Sequence, residues 1–217
     1  MHVAAEQLAA PETQVVALRV NVAAASLWLM PSLHEFYERH PEIRLNLVCI
    51  DEMPEVSDLD FDLEIRFGSE PWPGMECHPL LDEQVYPVAS PELVARHGGV
   101  DGLNLSSAPL LELNHFTSPL MDWDSWRPVS PGQTVRKLTT YAMLIEAAIR
   151  GHGVALGWHY YVEAAIARGD LVRLPCAARS AGHHEYLTVH PGSAGRETVQ
   201  KARDWLLELA ARTRSQA

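Results

Sequence analysis

The amino-acid sequence predicts an α/β fold with mainly parallel sheets, divided into two subdomains. The 217 residues are enough for two small domains. Segments with strand-like alternation and segments with helical spacing of apolar residues follow one another along the chain, which is typical of this fold class. Charge also divides the chain, because up to Ser90 it carries 4 basic and 16 acidic residues, whereas the remainder carries 13 and 12.

In the first half, one helix lies among short strands. The spacing of Leu29, Leu33 and Phe36 predicts a helix over residues 26–40, and His40-Pro41 is expected to end it. Alternation of apolar residues predicts strands, and the long run before Ser90-Pro91 is interpreted as a single strand. The predicted strands of this half cover residues 18–22, 44–50, 59–67 and 80–90.

In the second half, glycines mark the helix ends. A short helix opens at Pro91 and closes at Gly98-Gly99, and two later helices end at Gly151 and Gly169. Residues 118–132 are predicted to form a loop that Trp123 and Trp126 pack onto the second subdomain. The later predicted helices cover residues 140–150, 159–168 and 195–213, and the strands 110–113, 134–138, 154–156, 171–174 and 185–189.

Charge and composition exclude several function classes. The net charge of −11 disfavours direct binding to nucleic acid or to an anionic membrane. The three cysteines are far apart, which suits a reducing compartment. No stretch resembles a signal peptide or a membrane span. We therefore expect a cytoplasmic protein without a membrane partner.

Catalytic and cofactor motifs are not found in the sequence. It contains no GxSxG, HExxH or GxxxxGK[ST], and residues 1–67 contain no glycine that could cradle a phosphate. The 11 histidines lack metal-ligand spacing, and the acidic run over residues 51–62 lacks the pattern of a calcium loop. The glycines of residues 151–157 follow a helix, so they fit a helix end better than a dinucleotide fingerprint. We expect no enzyme activity, no cofactor and no metal.

Six segments carry a resemblance to a known family. They are LRVNV from Leu18, SLWLMPSL from Ser26, DLEIRFG from Asp62, YPVASPEL from Tyr86, AAIRGHGVALG from Ala147 and GDLVRL from Gly169. In this order and spacing they resemble the effector-binding domain of LysR-type transcriptional regulators. WPGME from Trp72 and PLLDE from Pro79 resemble the glycine-cleavage-activator branch. The resemblance covers about residues 18–210.

The resemblance implies two Rossmann-like subdomains, as in type 2 periplasmic binding proteins, with a small-molecule effector in the cleft between them. Subdomain I would comprise residues 17–89 and 191–213, and subdomain II residues 90–190, with the chain crossing near Ser90 and His190. Residues 1–16 would be the stub of a linker, and the family's N-terminal winged helix-turn-helix is absent from this chain. Members form homodimers, and tetramers in the full-length protein, and contact DNA through that missing domain.

Candidate binding residues come from helix starts, one cation and several aromatic rings. Ser26 and Thr139-Thr140 are expected to open helices at the cleft, where helix N-termini favour an anion, although each could simply cap its own helix. Arg66, just before Gly68, could pair with an anionic ligand or with a nearby carboxylate. Asp51 could contact a ligand amine or cap a turn. The full candidate set is Ser26, Leu27, Trp28, Asp51, Arg66, Phe67, Gly68, Trp72, Thr139, Thr140, Tyr141 and Trp158.

The nature of the effector stays open at this point. Trp28, Phe67, Trp72, Tyr141 and Trp158 could form an aromatic box for an organic cation, which the acidic charge would also favour, or could belong to the core. A zwitterion such as an amino acid or a betaine would satisfy both the helix ends and the net charge, and an organic acid is the third choice. The alternative function is a free-standing small-solute-binding protein of the transport type.

Overall fold

A computed structural model of the chain describes residues 14–50, 61–69, 72, 74–114 and 121–216. Its α-helices are α1 (Leu33–Arg39), α2 (Pro91–Arg96), α3 (Trp123–Trp126), α4 (Tyr141–Ile149), α5 (His159–Arg168) and α6 (Glu197–Gln216). Its strands are β1 (Gln14–Val20), β2 (Ile43–Cys49), β3 (Leu63–Gly68), β4 (Glu76–Asp82), β5 (Val85–Ala89), β6 (Leu110–Leu113), β7 (Val135–Leu138), β8 (Ala155–Trp158), β9 (Val172–Arg173) and β10 (His184–Val189). The predicted α/β class is confirmed.

The first sheet has five strands in the order β2-β1-β3-β10-β4. Strand β1 is parallel to β2 and β3, whereas β10 is antiparallel to both of its neighbours. Leu18 and Leu63 pair across β1 and β3, and both are fully buried. Helix α6 contributes the buried Trp205 and Leu206 to the same core, so this sheet and α6 form the first lobe.

The second lobe is built on the sheet β8-β5-β9 and the pair β6-β7. Strand β5 is antiparallel to both neighbours, and β6 is parallel to β7. Every residue of β5 and β8 is buried, and α4 and α5 pack against them. Over the described strands the sheets are thus mixed rather than mainly parallel as predicted.

The crossings between the lobes lie earlier in the chain than predicted. The predicted single strand over residues 80–90 is wrong, because β4 ends at Asp82 in the first sheet and β5 begins at Val85 in the second. The return crossing lies between Arg179, which pairs with Val85, and His184. Crossings near Ser90 and His190 are therefore corrected to residues 83–84 and 180–183. The Glu83 carboxylate joins the two crossings by accepting from the Ala181 N–H at 2.5 Å.

The first helical segment is irregular where one helix was predicted. Residues Ala24–Leu29 form a π-helix, in which the Met30 N–H donates to the Ala25 carbonyl five residues back, and Met30–Ser32 form a 3₁₀ turn. Pro31 has no N–H to donate to a preceding turn, so a regular α-helix cannot run through it. The α-helix proper, α1, therefore begins only at Leu33.

Other element predictions agree closely with the structure. Helix α2 begins at Pro91, and Ser90 caps it by accepting from the Leu93 N–H at 3.1 Å. In the predicted loop over residues 118–132, the described part contains α3, and Trp123 donates to the Leu111 carbonyl at 2.8 Å, which confirms its packing on the second lobe. Strand β1 starts at Gln14, so residues 14–16 of the predicted linker stub belong to the sheet, and residues 1–13 lie outside the described part.

Candidate functional site

The two lobes meet around the phenol of Tyr161, on helix α5 of the second lobe. Its hydroxyl donates to Glu185 Oε1 on β10 of the first lobe at 2.6 Å. The Asn21 side-chain amide, directly after β1, donates to the same hydroxyl at 3.5 Å. The ring of Tyr161 lies 5.7 Å from that of Tyr141 at the start of α4. We call Asn21, Tyr141, Tyr161 and Glu185 the interlobe cluster.

Burial sets the electrostatics of this cluster. Burial raises the pKa of Glu185 to about 7, against the opposing hydrogen bonds from Tyr161 and Asn21. Burial, followed by the nearby Glu185, likewise raises the pKa of Tyr161 well above its usual value. Glu185 Oε2 has no hydrogen-bond partner among the described residues. The cluster thus holds a carboxyl group that changes charge near neutral pH and has one oxygen to offer a donor.

The helical segment after β1 starts at Asn21, not at Ser26. Asn21 Oδ1 accepts from the Ala24 N–H at 2.7 Å, and its carbonyl accepts from the Ala25 N–H at 3.0 Å. The exposed Ser26 instead donates from Oγ to the Val22 carbonyl at 2.7 Å, within the helix. The prediction that Ser26 opens the helix is therefore wrong, and the residue that occupies that position, Asn21, lies in the interlobe cluster.

Predictions for the start of α4 agree with the structure. Thr140 Oγ1 accepts from the Met143 N–H at 3.4 Å, as expected of a cap, and Thr139 is exposed beside it. Tyr141 and Trp158 contact each other edge to face, with ring centroids 5.3 Å apart. The Tyr141 hydroxyl donates to the Leu156 carbonyl and accepts from the Trp158 N–H, so this ring pair is fixed to the second sheet.

The candidates at the end of β3 lie on two faces of the sheet. Arg66 stacks over Trp72 at 4.3 Å and lies 3.7 Å from Glu64 Oε1. It is therefore paired with a nearby carboxylate, which was the alternative to binding an anionic ligand. Gly68 belongs to the same group, because an added Cβ would lie 3.1 Å from the Trp72 ring. Phe67 pairs across strands with Glu185, which places it on the other face, beside the interlobe cluster.

Of the two alternatives for the aromatic residues, a shared box does not form among these rings. Trp28 is buried against α6, where its indole Nε1 donates to Thr213 Oγ1 at 3.0 Å. Leu27 lines a groove against α5 and α6 together with Trp28. Trp72 contacts Tyr186, and Phe67 contacts His183, so the five rings fall into four separate groups. Asp51 lies outside the described residues.

Three members of the interlobe cluster, Asn21, Tyr161 and Glu185, were not among the candidates, and their partners are distant in sequence. Tyr161 is 140 positions from Asn21 and 24 from Glu185. Asn21 carried a signal, since an asparagine directly before a helix is a common cap. In the sequence, nothing distinguishes Tyr161 from other helix residues or Glu185 from other strand residues.

Within the described part of the chain, no three His, Cys, Asp or Glu side chains are grouped so as to hold a metal ion. None of the described helices combines the length and apolar character that crossing a bilayer requires.

Two α/β lobes joined by two crossing segments, with polar groups buried at the junction, define a domain of the kind that binds small molecules between its lobes. The family model of the LysR substrate binding domain matches residues 9–211. The chain belongs to this family, as its sequence motifs indicated.

Relatives and solved structures agree with this assignment. The chain is 29% identical over 178 residues to the HTH-type transcriptional regulator DsdC of Escherichia coli K12, covering 77% of this chain and 57% of the relative. It is 32% identical over 168 residues to PerR of the same organism (75% and 54%), and 27% identical over 192 residues to its glycine cleavage system transcriptional activator (85% and 61%). The chain thus spans little more than half the length of these relatives.

The fold is that of solved LysR-type effector domains. The effector domain of AmpR from Pseudomonas aeruginosa superposes with a TM-score of 0.72 at 24% identity, covering 94% of this chain and 99% of that one. The regulatory domain of CrgA from Neisseria meningitidis gives 0.71 at 22%, covering 90% and 98%. The family model and the curated relatives are those of transcriptional regulators, so the alternative of a transport-type solute-binding protein is not favoured.

Proposed function

We propose that this chain is the effector-sensing domain of a LysR-type transcriptional regulator. It takes up a small polar metabolite between its lobes and transmits binding to a DNA-binding domain attached elsewhere in the protein. The observation that carries this proposal is the interlobe cluster, in which Tyr161 of one lobe contacts Asn21 and Glu185 of the other. A ligand at this junction would change how the lobes are held together.

The chemistry around the cluster favours an effector with both charges. Glu185 Oε2, without a partner among the described residues, can accept from an ammonium group. The helical segments that start at Asn21 and at Tyr141 both begin at the cluster, and their N-terminal ends favour a carboxylate. We therefore place a zwitterion such as an amino acid or betaine ahead of a simple organic acid. The binding residues in this proposal are Asn21, Phe67, Thr139, Thr140, Tyr141, Tyr161 and Glu185.

We also propose how the protein assembles and where it is located. The domain pairs with a second copy, and the full-length regulator is a tetramer that contacts DNA only through its separate DNA-binding domain. Exposed apolar side chains of Met30 and Tyr37, on the first helical segment and α1, support a pairing surface there. The protein is cytoplasmic and has no catalytic role. Light scattering on the purified domain tests the pairing.

A thermal-shift panel of amino acids, betaines, organic acids and purines tests the binding site. A ligand at about 100 times its Kd should stabilise the domain by roughly 2.7 kcal/mol. We expect a zwitterion to give the largest shift, and Tyr161→Phe and Glu185→Gln to weaken its binding at least tenfold. Arg168→Gln, which removes an exposed charge paired with Asp170, is the matched control. Binding that survives both cluster substitutions would place the effector elsewhere and contradict the proposal.

A further inference from the structure

The second lobe carries a basic cavity that the interlobe cluster does not include. Its volume is about 550 Å³, and it lies among the end of α2, the middle of β7 and the end of α4. Four of its lining residues are basic: Arg96, His97, Arg136 and His152. The concentration of basic groups is notable in a chain whose net charge is −11.

Carbonyls of two consecutive residues hold the two guanidinium groups. Arg96 Nη2 donates to the Gly151 carbonyl at 2.9 Å, and Arg136 Nη1 donates to the His152 carbonyl at 2.6 Å. Gly151 has φ of +73°, and a Cβ there would lie 3.1 Å from Arg96 Nη2, so glycine makes the first contact possible. Both guanidinium groups line the same cavity, so an anion bound there would be attracted by both charges.

Ion pairs within the chain leave most of this charge unneutralised. Arg96 Nη1 lies 3.4 Å from Glu92 Oε1, but both side chains are more than half exposed, and such surface pairs are weak. Arg136 forms no ion pair within the described part of the chain. Each guanidinium has five N–H donors, so those not used on the carbonyls remain available to a ligand.

We propose that this cavity binds a small phosphorylated metabolite through its phosphate group, independently of the effector between the lobes. Planar guanidinium forks match the oxygens of a phosphate, and the ring N–H of His152 can supply a further donor. The cavity is far larger than a phosphate ion and lies within the usual range for small organic ligands. Leu93 and Pro109 offer an apolar wall for the organic part.

Titration calorimetry with inorganic phosphate and with glycerol 3-phosphate, at constant ionic strength, tests the proposal. We expect both to bind the wild-type chain, the ester more tightly, and Arg96→Gln and Arg136→Gln each to weaken binding at least tenfold. Arg136→Lys keeps the charge without the fork and should give an intermediate loss. Arg168→Gln removes an exposed charge of the same lobe and should leave binding unchanged.

A second measurement locates the bound phosphate and guards against misfolded variants. In NMR titrations of the wild-type chain, the ring protons of His97 and His152 should shift with phosphate. Absence of phosphate binding, or equal binding in wild type and both glutamine variants, would overturn the proposal. Equal affinity for succinate would overturn the phosphate class. Loss of binding in Tyr161→Phe, with retention in Arg136→Gln, would assign the phosphate to the interlobe cluster instead.

Discussion

The Tyr161 hydroxyl donates to Glu185 Oε1 over 2.6 Å and thereby connects a helix of one lobe to a strand of the other. Both residues are buried, and Glu185 Oε2 has no hydrogen-bond partner among the described residues. A buried acid in this position couples the junction between the lobes to proton binding.

Replacing Glu185 with glutamine should remove a loss of stability at neutral and alkaline pH. The folded state holds the proton up to about pH 7, whereas in the unfolded chain the carboxyl ionises near 4.5. Stability therefore falls as pH rises from about 4.5 to 7, by roughly 3 kcal/mol if the pKa difference is fully expressed. Below this window Glu185 has no such effect, and above it the loss is constant.

Urea unfolding of wild type and Glu185→Gln at pH 5 and pH 8 measures this difference. The stability of the variant relative to wild type should be greater at pH 8 than at pH 5. Glutamine keeps an oxygen that can accept from Tyr161, so the hydrogen bond itself is preserved. Parallel stability curves for the two proteins across this range would show that Glu185 does not titrate as stated.

Replacing Tyr161 with phenylalanine should destabilise the domain at all pH values, and more at high pH. The change leaves Glu185 without its short hydrogen bond, which costs about 1–3 kcal/mol at a buried site. That bond also lowers the pKa of Glu185, so its loss raises this pKa further and extends the pH-dependent loss above pH 7. In the Tyr161→Phe, Glu185→Gln double variant the extra loss at high pH should disappear, and its persistence would contradict the coupling.

The sequence predicted those helices and strands whose bounds are set by residues within the element or at its end. Strand β6 and helix α5 have the predicted bounds, because an apolar run defines the first and Gly169 ends the second. The run over residues 80–90 was wrongly predicted as one strand, since its apolar residues do not reveal that β4 and β5 belong to different sheets. That division depends on Glu83 and its distant partner Ala181.

The site was less predictable than the fold for the same physical reason. The start of α4 was predicted correctly, because Thr140 caps it through a contact within three residues. The position of Trp28 is decided by Thr213, 185 residues away, and that of Tyr161 by Asn21, 140 away. A tryptophan side chain can pack in a core or line a binding surface, so the residues next to it in sequence do not show which of the two it does.

Replacing Gly169 at the end of α5 with alanine should destabilise the domain. Its φ of +80° lies in the left-handed region, where a side chain costs about 1–2 kcal/mol, although nothing lies within 4 Å of the added Cβ. Gly195 is the matched control, because its backbone is not left-handed and the space around it is also open. Chemical unfolding of Gly169→Ala and Gly195→Ala should show a loss only in the first. Equal effects in the two variants would contradict backbone strain as the cause.

Substitutions at Trp28 and Thr213 should separate a structural tryptophan from a binding one. Thr213→Val leaves the buried indole N–H without its acceptor and should lower the free energy of unfolding by about 1–3 kcal/mol. Trp28→Phe should also be destabilising, since it removes buried aromatic surface from the contact with α6. Neither change touches the interlobe cluster, so the affinity for the effector, measured below the melting range, should be the same as in wild type. If Trp28→Phe left stability unchanged but weakened effector binding, Trp28 would belong to the binding site, because only a ring in contact with the ligand could produce that combination.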